Sequence, residues 1–320
     1  MGIAINIVLS VVGLALLIKC ADFFVDAAAS FARNFKIPTT VIGLTIIAFG
    51  TSAPELAISF SSHLSGNTDI MFGNVIGSSI SNIFIILGIA VLIIPFNVKS
   101  DVVTKEVPIM TLITLGLSVL FLDTFFDSSD TNVLSRADGI VLILFFSIFV
   151  FYLITVLTSK KNSDEGDMTP KYKVPMSIVV IVLGLAGIII GSELAVSNVA
   201  ALAEAIGISQ KIITVTIISI GTSLPELVTI ITAAKKGENS MAIGSIVGSN
   251  IFNICIVLGI PVVILGEAAT LAFNIVDIVF MLLAAVLLWI FAATNRKLKR
   301  YEACVLIAMY CAYAVYIFIQ

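Results

Sequence analysis

Apolar runs of about 20 residues or more follow one another along the whole chain, separated by short polar breaks. Ten can be drawn, at 3–33, 37–63, 69–95, 105–122, 138–158, 174–206, 209–234, 240–265, 271–293 and 301–319. The short alternating segments of a membrane barrel are missing. The pattern predicts an all-α polytopic membrane protein with ten transmembrane helices. Runs one and six are long enough to require tilt. One stretch, "SKKNSDEGDMTPKYK" at 159–173, has the composition of a linker. It divides the chain into five spans at 1–158 and five at 174–320. Composition agrees: of 320 residues 59% are hydrophobic and 12% charged, and mean hydropathy is +1.17. The apolar N-terminus lacks a basic leader and a small-residue cleavage site, so it is read as the first span, not a cleaved signal peptide.

Charge sets the expected orientation. Arg33, Lys36, Lys99, Lys105, Lys160, Lys161, Lys171, Lys173, Lys235, Lys236, Arg296, Lys297, Lys299 and Arg300 fall in alternate loops on one side, against Arg136 and Lys211 on the other. The richer side is expected to be cytoplasmic, with both termini outside the cell membrane. The acidic loop carrying Asp123, Asp127, Asp130 and Asp138 then faces outside as well. Cys20, Cys255, Cys304 and Cys311 stand in apolar runs without metal spacing and are expected to be small buried residues. His63, the only histidine, is expected at the surface. No phosphate loop, HExxH or basic stripe is present, so no nucleic acid and no cofactor is expected.

Two stretches break the apolar pattern. "IIAFGTSAPELAISF" (46–60) and "IISIGTSLPELVTI" (217–230) each set hydroxyls, a proline and a carboxylate inside a span. Glu55 and Glu226 stand 171 positions apart (226 − 55). The same offset relates Gly73 to Gly244, Ser78 to Ser249 and Asn82 to Asn253, so "GNVIGSSISNIFIILGI" lies over "GSIVGSNIFNICIVLGI" without a gap. It also pairs Asp22 with Glu193. Shared greasiness does not explain coincident polar positions. Since each half has an odd number of spans, the second enters the membrane from the opposite side. The expectation is a pair of inverted five-helix repeats, a plan used by secondary transporters with a midplane site.

The chemistry at that midplane follows from residue type. Pro54 and Pro225 lack an N–H, so the carbonyls of Gly50 and Gly221 lose their helical donors. Neighbouring carbonyls, such as those of Ala48 and Ser219, can open to a cavity. Thr51 and Ser52 share a helix face with Glu55, as Thr222 and Ser223 do with Glu226. Ser78–Asn82 and Ser249–Asn253 have the same four-residue spacing. Each half thus offers one carboxylate, three hydroxyls, one amide and loose carbonyls. An oxygen-only cage suits hard cations: one Ca²⁺ against two carboxylates, or several Na⁺ in its place. A proton is the third candidate.

"GTSAPEL" with "GNVIGSSISNIF", and "GTSLPEL" with "GSIVGSNIFN", resemble the two alpha repeats of the calcium/cation antiporter superfamily, in its sodium/calcium exchanger branch of prokaryotic type. The resemblance implies antiport of Na⁺ and Ca²⁺ by alternating access, electrogenic at three Na⁺ per Ca²⁺. It implies that spans one and six slide against the other eight, and that the protein works in the lipid membrane as a monomer. Glu55 and Glu226 then match the calcium carboxylates. Thr51, Ser52, Ser78, Thr222, Ser223 and Ser249 match the sodium-site hydroxyls, and Ala48 and Ser219 the carbonyl donors. Asn82 and Asn253 match the amide or acid positions flanking the centre. Asparagine in both halves is similar to the potassium-independent exchangers and argues against K⁺ transport. The short linker leaves no room for a large calcium-sensing region.

Other readings stand beside this one. A proton/calcium antiporter would use the same carboxylates, a passive cation channel the same cage, and an intramembrane aspartyl-type protease a similar pair of acids. The small hydroxyls and the Gly73–Gly77 spacing also serve helix packing. Asp22 and Glu193 are assigned a structural or gating role, with Lys19 as a partner for Asp22, and Asp277 is read as an acid without a repeat counterpart.

Overall fold

The computed structural model of the chain describes residues 3–126, 131–158, 169–206, 219–270, 273, 275–294 and 296–319. The bundle is built of helices α1 (Ile3–Phe35), α2 (Thr39–Thr51), α3 (Ala53–Leu64), α4 (Thr68–Ile93), α5 (Val102–Phe121), α6 (Arg136–Thr158), α7 (Val174–Ala205), α8 (Ser219–Thr222), α9 (Leu224–Lys235), α10 (Asn239–Leu265), α11 (Ile275–Ala293) and α12 (Arg300–Ile319). Among the described residues eight helices are long and apolar enough to cross a membrane, and nine spans result if α2 and α3 form one. Of the expected run 209–234, positions 209–218 lie outside the described residues. So do Asp127, Asp130, Lys160, Lys161 and Lys211, and positions 159–168 of the linker. The other expected boundaries fall within a few residues of the helices. At about 1.5 Å per residue, α1 and α7 exceed the ~30 Å hydrocarbon core, as their run lengths foretell.

Proline places the main break. The α2 and α3 axes differ by 45°, and the joint is Ser52, with φ −90° and ψ 5°, two residues before Pro54. Ser223, between α8 and α9, has φ −93° and ψ 4°, two residues before Pro225. Wider, π-helical turns run over Asn82–Leu87 in α4 and Asn253–Leu258 in α10, so each begins on an asparagine that the repeat pairs. The α3 and α9 helices close through Gly66 and Gly237, both with φ 78°, a left-handed conformation that glycine adopts without strain.

Small residues let the helices approach. Along the α1–α7 contact, a Cβ on Gly13 would stand 2.6 Å from the Ala195 nitrogen, and one on Gly191 would stand 2.6 Å from the Leu17 nitrogen. The contact of α10 with α2 uses Gly244 and Gly248, where a Cβ would stand 2.6 Å from the Thr40 and Leu44 carbonyl oxygens. Outward faces are apolar, as with Leu144, Ile148 and Phe151 on α6, and suit lipid. Two short antiparallel clasps join the halves. Strands β1 (Asn132–Leu134) and β2 (Ala268–Thr270) pair beyond one end of α5, and Asn97 pairs with Lys297 before its other end.

Ion pairs fasten one end of α1. Lys236 contacts Asp22 at 2.7 Å and Asp26 at 2.5 Å, Lys171 contacts Asp26 at 2.6 Å, and Arg33 pairs with Glu238. The ion pair on Asp22 is therefore made with Lys236 and not with Lys19: Lys236, at the end of α9, reaches two carboxylates at once. His63 corrects a second expectation, because it is 8% exposed and packed near Glu267 at the end of α3. Cys304 and Cys311 correct a third, since both lie on the exposed face of α12, whereas Cys255 is buried. Replacing Gly248 by Val should destabilise the fold by about 1–3 kcal/mol, because backbone blocks the added carbon; thermal unfolding in detergent measures it.

Candidate cation site

Both broken helices put a carboxylate in the first turn after the break. Glu55 opens α3 and Glu226 opens α9, where the aligned N–H dipoles favour negative charge. The preceding half-helices end at Thr51 and Thr222, so their last carbonyls point towards the same joint. Glu55 and Glu226 are 1% and 2% exposed, close enough to interact electrostatically, and the Thr51 hydroxyl stands by the Glu226 carboxylate. The α3 helix packs on the π turn that begins at Asn253, and α9 on the one that begins at Asn82. Each glutamate-bearing helix therefore packs on the asparagine-bearing π turn of the opposite half.

The predicted ligands divide by environment. Ala48, Thr51, Ser52, Ser78, Asn82, Ser223, Ser249 and Asn253 are buried, Thr222 is half-buried, and of Ser219 only the backbone is described. Six of them hold a buried side-chain oxygen without a hydrogen-bond partner: Ser52, Glu55, Asn82, Glu226, Ser249 and Asn253. Buried polar atoms ordinarily find partners. Two carboxylates and four neutral oxygens, each with a buried atom lacking a hydrogen-bond partner, are ligand types that a hard cation takes. Among the described residues no lysine or arginine pairs with either glutamate, and no group of three His, Cys, Asp or Glu side chains gathers anywhere. Thr51 donates to the Ile47 carbonyl at 3.1 Å, which leaves its lone pairs available.

Several residues around the site were invisible to repeat matching because only one half carries them. Asn74 donates to the Glu55 carbonyl oxygen and to the Ser59 hydroxyl, each at 2.9 Å, and so ties α3 to α4. Its counterpart is Ser245. Ser192 on α7 donates at 3.1 Å to the Gly221 carbonyl, the group that Pro225 deprives of a helical donor. Asn250 on α10 accepts from the Asn82 amide at 3.2 Å. Asp277 also gains a counterpart: Glu106 stands 171 positions before it (277 − 106). Each accepts a tyrosine hydroxyl, Glu106 from Tyr152 at 3.2 Å and Asp277 from Tyr313 at 3.1 Å. The offset that pairs Asp22 with Glu193 pairs these two acids as well, so the sequence carried this signal. Asp22 and Glu193 stay outside the centre. Glu193 lines a cavity of about 560 Å³ with Pro54, Ser197, Gly221, Thr222 and Pro225, so the cavity reaches from α7 to both broken helices.

A helical bundle with a lipid-suited exterior, two broken helices and a set of buried oxygens without hydrogen-bond partners has the make-up of an integral membrane protein that handles cations. Comparison with known proteins gives the family. The sodium/calcium exchanger protein family model matches residues 5–155 and 176–319, and the chain belongs to that family, whose members are secondary transporters and not enzymes. It is similar to Inner membrane protein YrbG of Escherichia coli, 38% identical over 86% of this chain and 87% of that protein. It is also similar to Sodium/calcium exchanger MaX1 of Methanosarcina acetivorans, 31% identical over 99% of each. Among solved structures, the sodium-calcium exchanger NCX_Mj soaked with Na⁺ matches at TM-score 0.83 and 29% identity, covering 98% of this chain and 99% of that one.

Ser192→Ala should cost about 1 kcal/mol by leaving the Gly221 carbonyl without its donor, read as a lower unfolding temperature in detergent.

Proposed function

We propose that the protein exchanges Na⁺ for Ca²⁺ at one shared site formed by Glu55, Glu226 and the hydroxyl, amide and carbonyl oxygens around them. The observation that carries this reading is the pair of buried, interacting carboxylates, one from each half, together with four further buried oxygens that have no hydrogen-bond partner. Ca²⁺ accepts such an irregular, oxygen-only shell. Its two charges balance two ionised carboxylates, and several Na⁺ spread over the same oxygens balance them too. Competition for one set of ligands couples the two fluxes without any further device.

On this reading the two halves are inverted five-helix repeats, completed by a tenth span through 209–234. The equal offsets of the helix breaks, the π turns and the left-handed glycines support it. Ala48 and Ser219 lend backbone oxygens, while Thr51, Ser52, Ser78, Thr222, Ser223 and Ser249 lend hydroxyls. Access alternates as α1 and α7, in contact along their lengths, shift past the rest of the bundle. The cavity beside Glu193 serves as the open path, and the Lys236 and Arg33 ion pairs hold the opposite end shut. Both termini face outside, and one polypeptide suffices.

Three Na⁺ against one Ca²⁺ would move one charge per cycle, worth ~2.3 kcal/mol per 100 mV. In proteoliposomes, Ca²⁺ uptake should require an opposing Na⁺ gradient and respond to membrane potential. Uptake driven as well by a pH gradient without Na⁺ would favour the proton-coupled alternative, and flux without any counter-ion would favour a channel. Glu55→Gln and Glu226→Gln should each abolish Ca²⁺ uptake while leaving the protein folded; wild-type uptake in either would remove that glutamate from the site.

A further inference from the structure

We propose that Met110 and Asn250 are positioning residues that hold the Asn82 side chain with its oxygen, and not its NH₂ group, turned to the cation. The inference rests on the cation-site reading above. An amide presents an acceptor on one side and donors on the other, and only the acceptor can ligate a cation. Something must therefore choose between two orientations of nearly the same shape.

The choice is traceable through three buried side chains on three helices. The Asn82 Nδ2 on α4 donates to the Asn250 Oδ1 on α10 at 3.2 Å. The Asn250 Nδ2 in turn donates to the Met110 Sδ on α5 at 3.7 Å. A thioether has lone pairs and no proton, so it acts only as an acceptor. Turning Asn250 over would set its oxygen against the sulfur, lone pair to lone pair. Met110 thus fixes Asn250, Asn250 offers its oxygen to Asn82, and the Asn82 NH₂ is drawn away from the pocket. The Asn82 Oδ1 is left buried without a partner, the state required of a ligand. The residues are 0%, 2% and 2% exposed, so water does not compete for these groups from outside.

The other half lacks the relay. Met281 stands where the repeat places a second methionine, 171 positions after Met110 (281 − 110). Between it and Asn253, however, the counterpart of Asn250 is Ser79, whose buried hydroxyl has no partner. The relay therefore acts on one asparagine of the site and not on its twin.

The test is a double-mutant cycle read as the Ca²⁺ concentration giving half-maximal thermal stabilisation of the detergent-purified protein, a binding readout that needs no transport. Met110→Leu conserves volume and removes the acceptor. It should raise the half-maximal concentration about fivefold in the wild-type background, the worth of one neutral hydrogen bond. In an Asn82→Asp background it should change that concentration by less than about twofold, because a carboxyl offers an oxygen in either orientation. Asn250→Leu supplies an independent second cycle with the same expected pattern. Equal losses in both backgrounds would mark a packing effect and overturn the relay, as would no loss in the wild-type background or an Asn82→Asp protein that no longer responds to Ca²⁺. A wild-type protein that Ca²⁺ leaves unstabilised would instead sink the cation-site reading itself.

Discussion

Two carboxyl groups share the buried centre of this bundle with no basic side chain paired to either among the described residues. Ionised, they would repel each other in a medium that screens little, and burial without compensation is costly. The surrounding architecture answers that constraint. Each helix is broken just before its glutamate, so the carboxylate sits at a positive helix end and the preceding half-helix turns its negative end to the same point. The remaining deficit is left open, and oxygens around it lack donors. On the function proposed above, a mobile cation supplies what the protein withholds.

Burial divides the helices of the bundle into two kinds. The α10 helix, almost wholly buried, meets α2 with its glycines pressed against carbonyl oxygens, which suits a fixed core. The α1 and α7 helices bury much less of themselves, and much of what they bury is against each other. Ion pairs at one end of α1 and a cavity beside α7 give the two ends of this pair different surroundings. A helix pair held mainly by mutual contact can move as a unit without opening the core.

Internal repetition is a strict rule at the centre and a loose one around it. Breaks, π turns and candidate ligands coincide at one offset, as a single ion meeting both halves would require. One layer out the halves part: Asn74 faces Ser245 in the alignment, Asn250 faces Ser79, and Ser192 on α7 serves the Gly221 carbonyl. Groups that only support a ligand are free to differ, provided each half keeps its own geometry.

How much was legible follows from this division. Hydropathy located the spans because lipid demands about 20 apolar residues per crossing, and a proline beside a buried acid announced the breaks because no helix tolerates either without cause. The doubled pattern and the family resemblance it carries pointed to the twelve candidate ligands, with Glu55 and Glu226 at their head. Tertiary structure decided what depends on helices distant in the chain. It paired Asp22 with Lys236 in place of Lys19, buried His63, exposed Cys304 and Cys311, and set Met110 and Asn250 behind Asn82. Such contacts join residues 140 or more positions apart. No local spacing encodes them, because which faces meet is settled only when all the helices pack together.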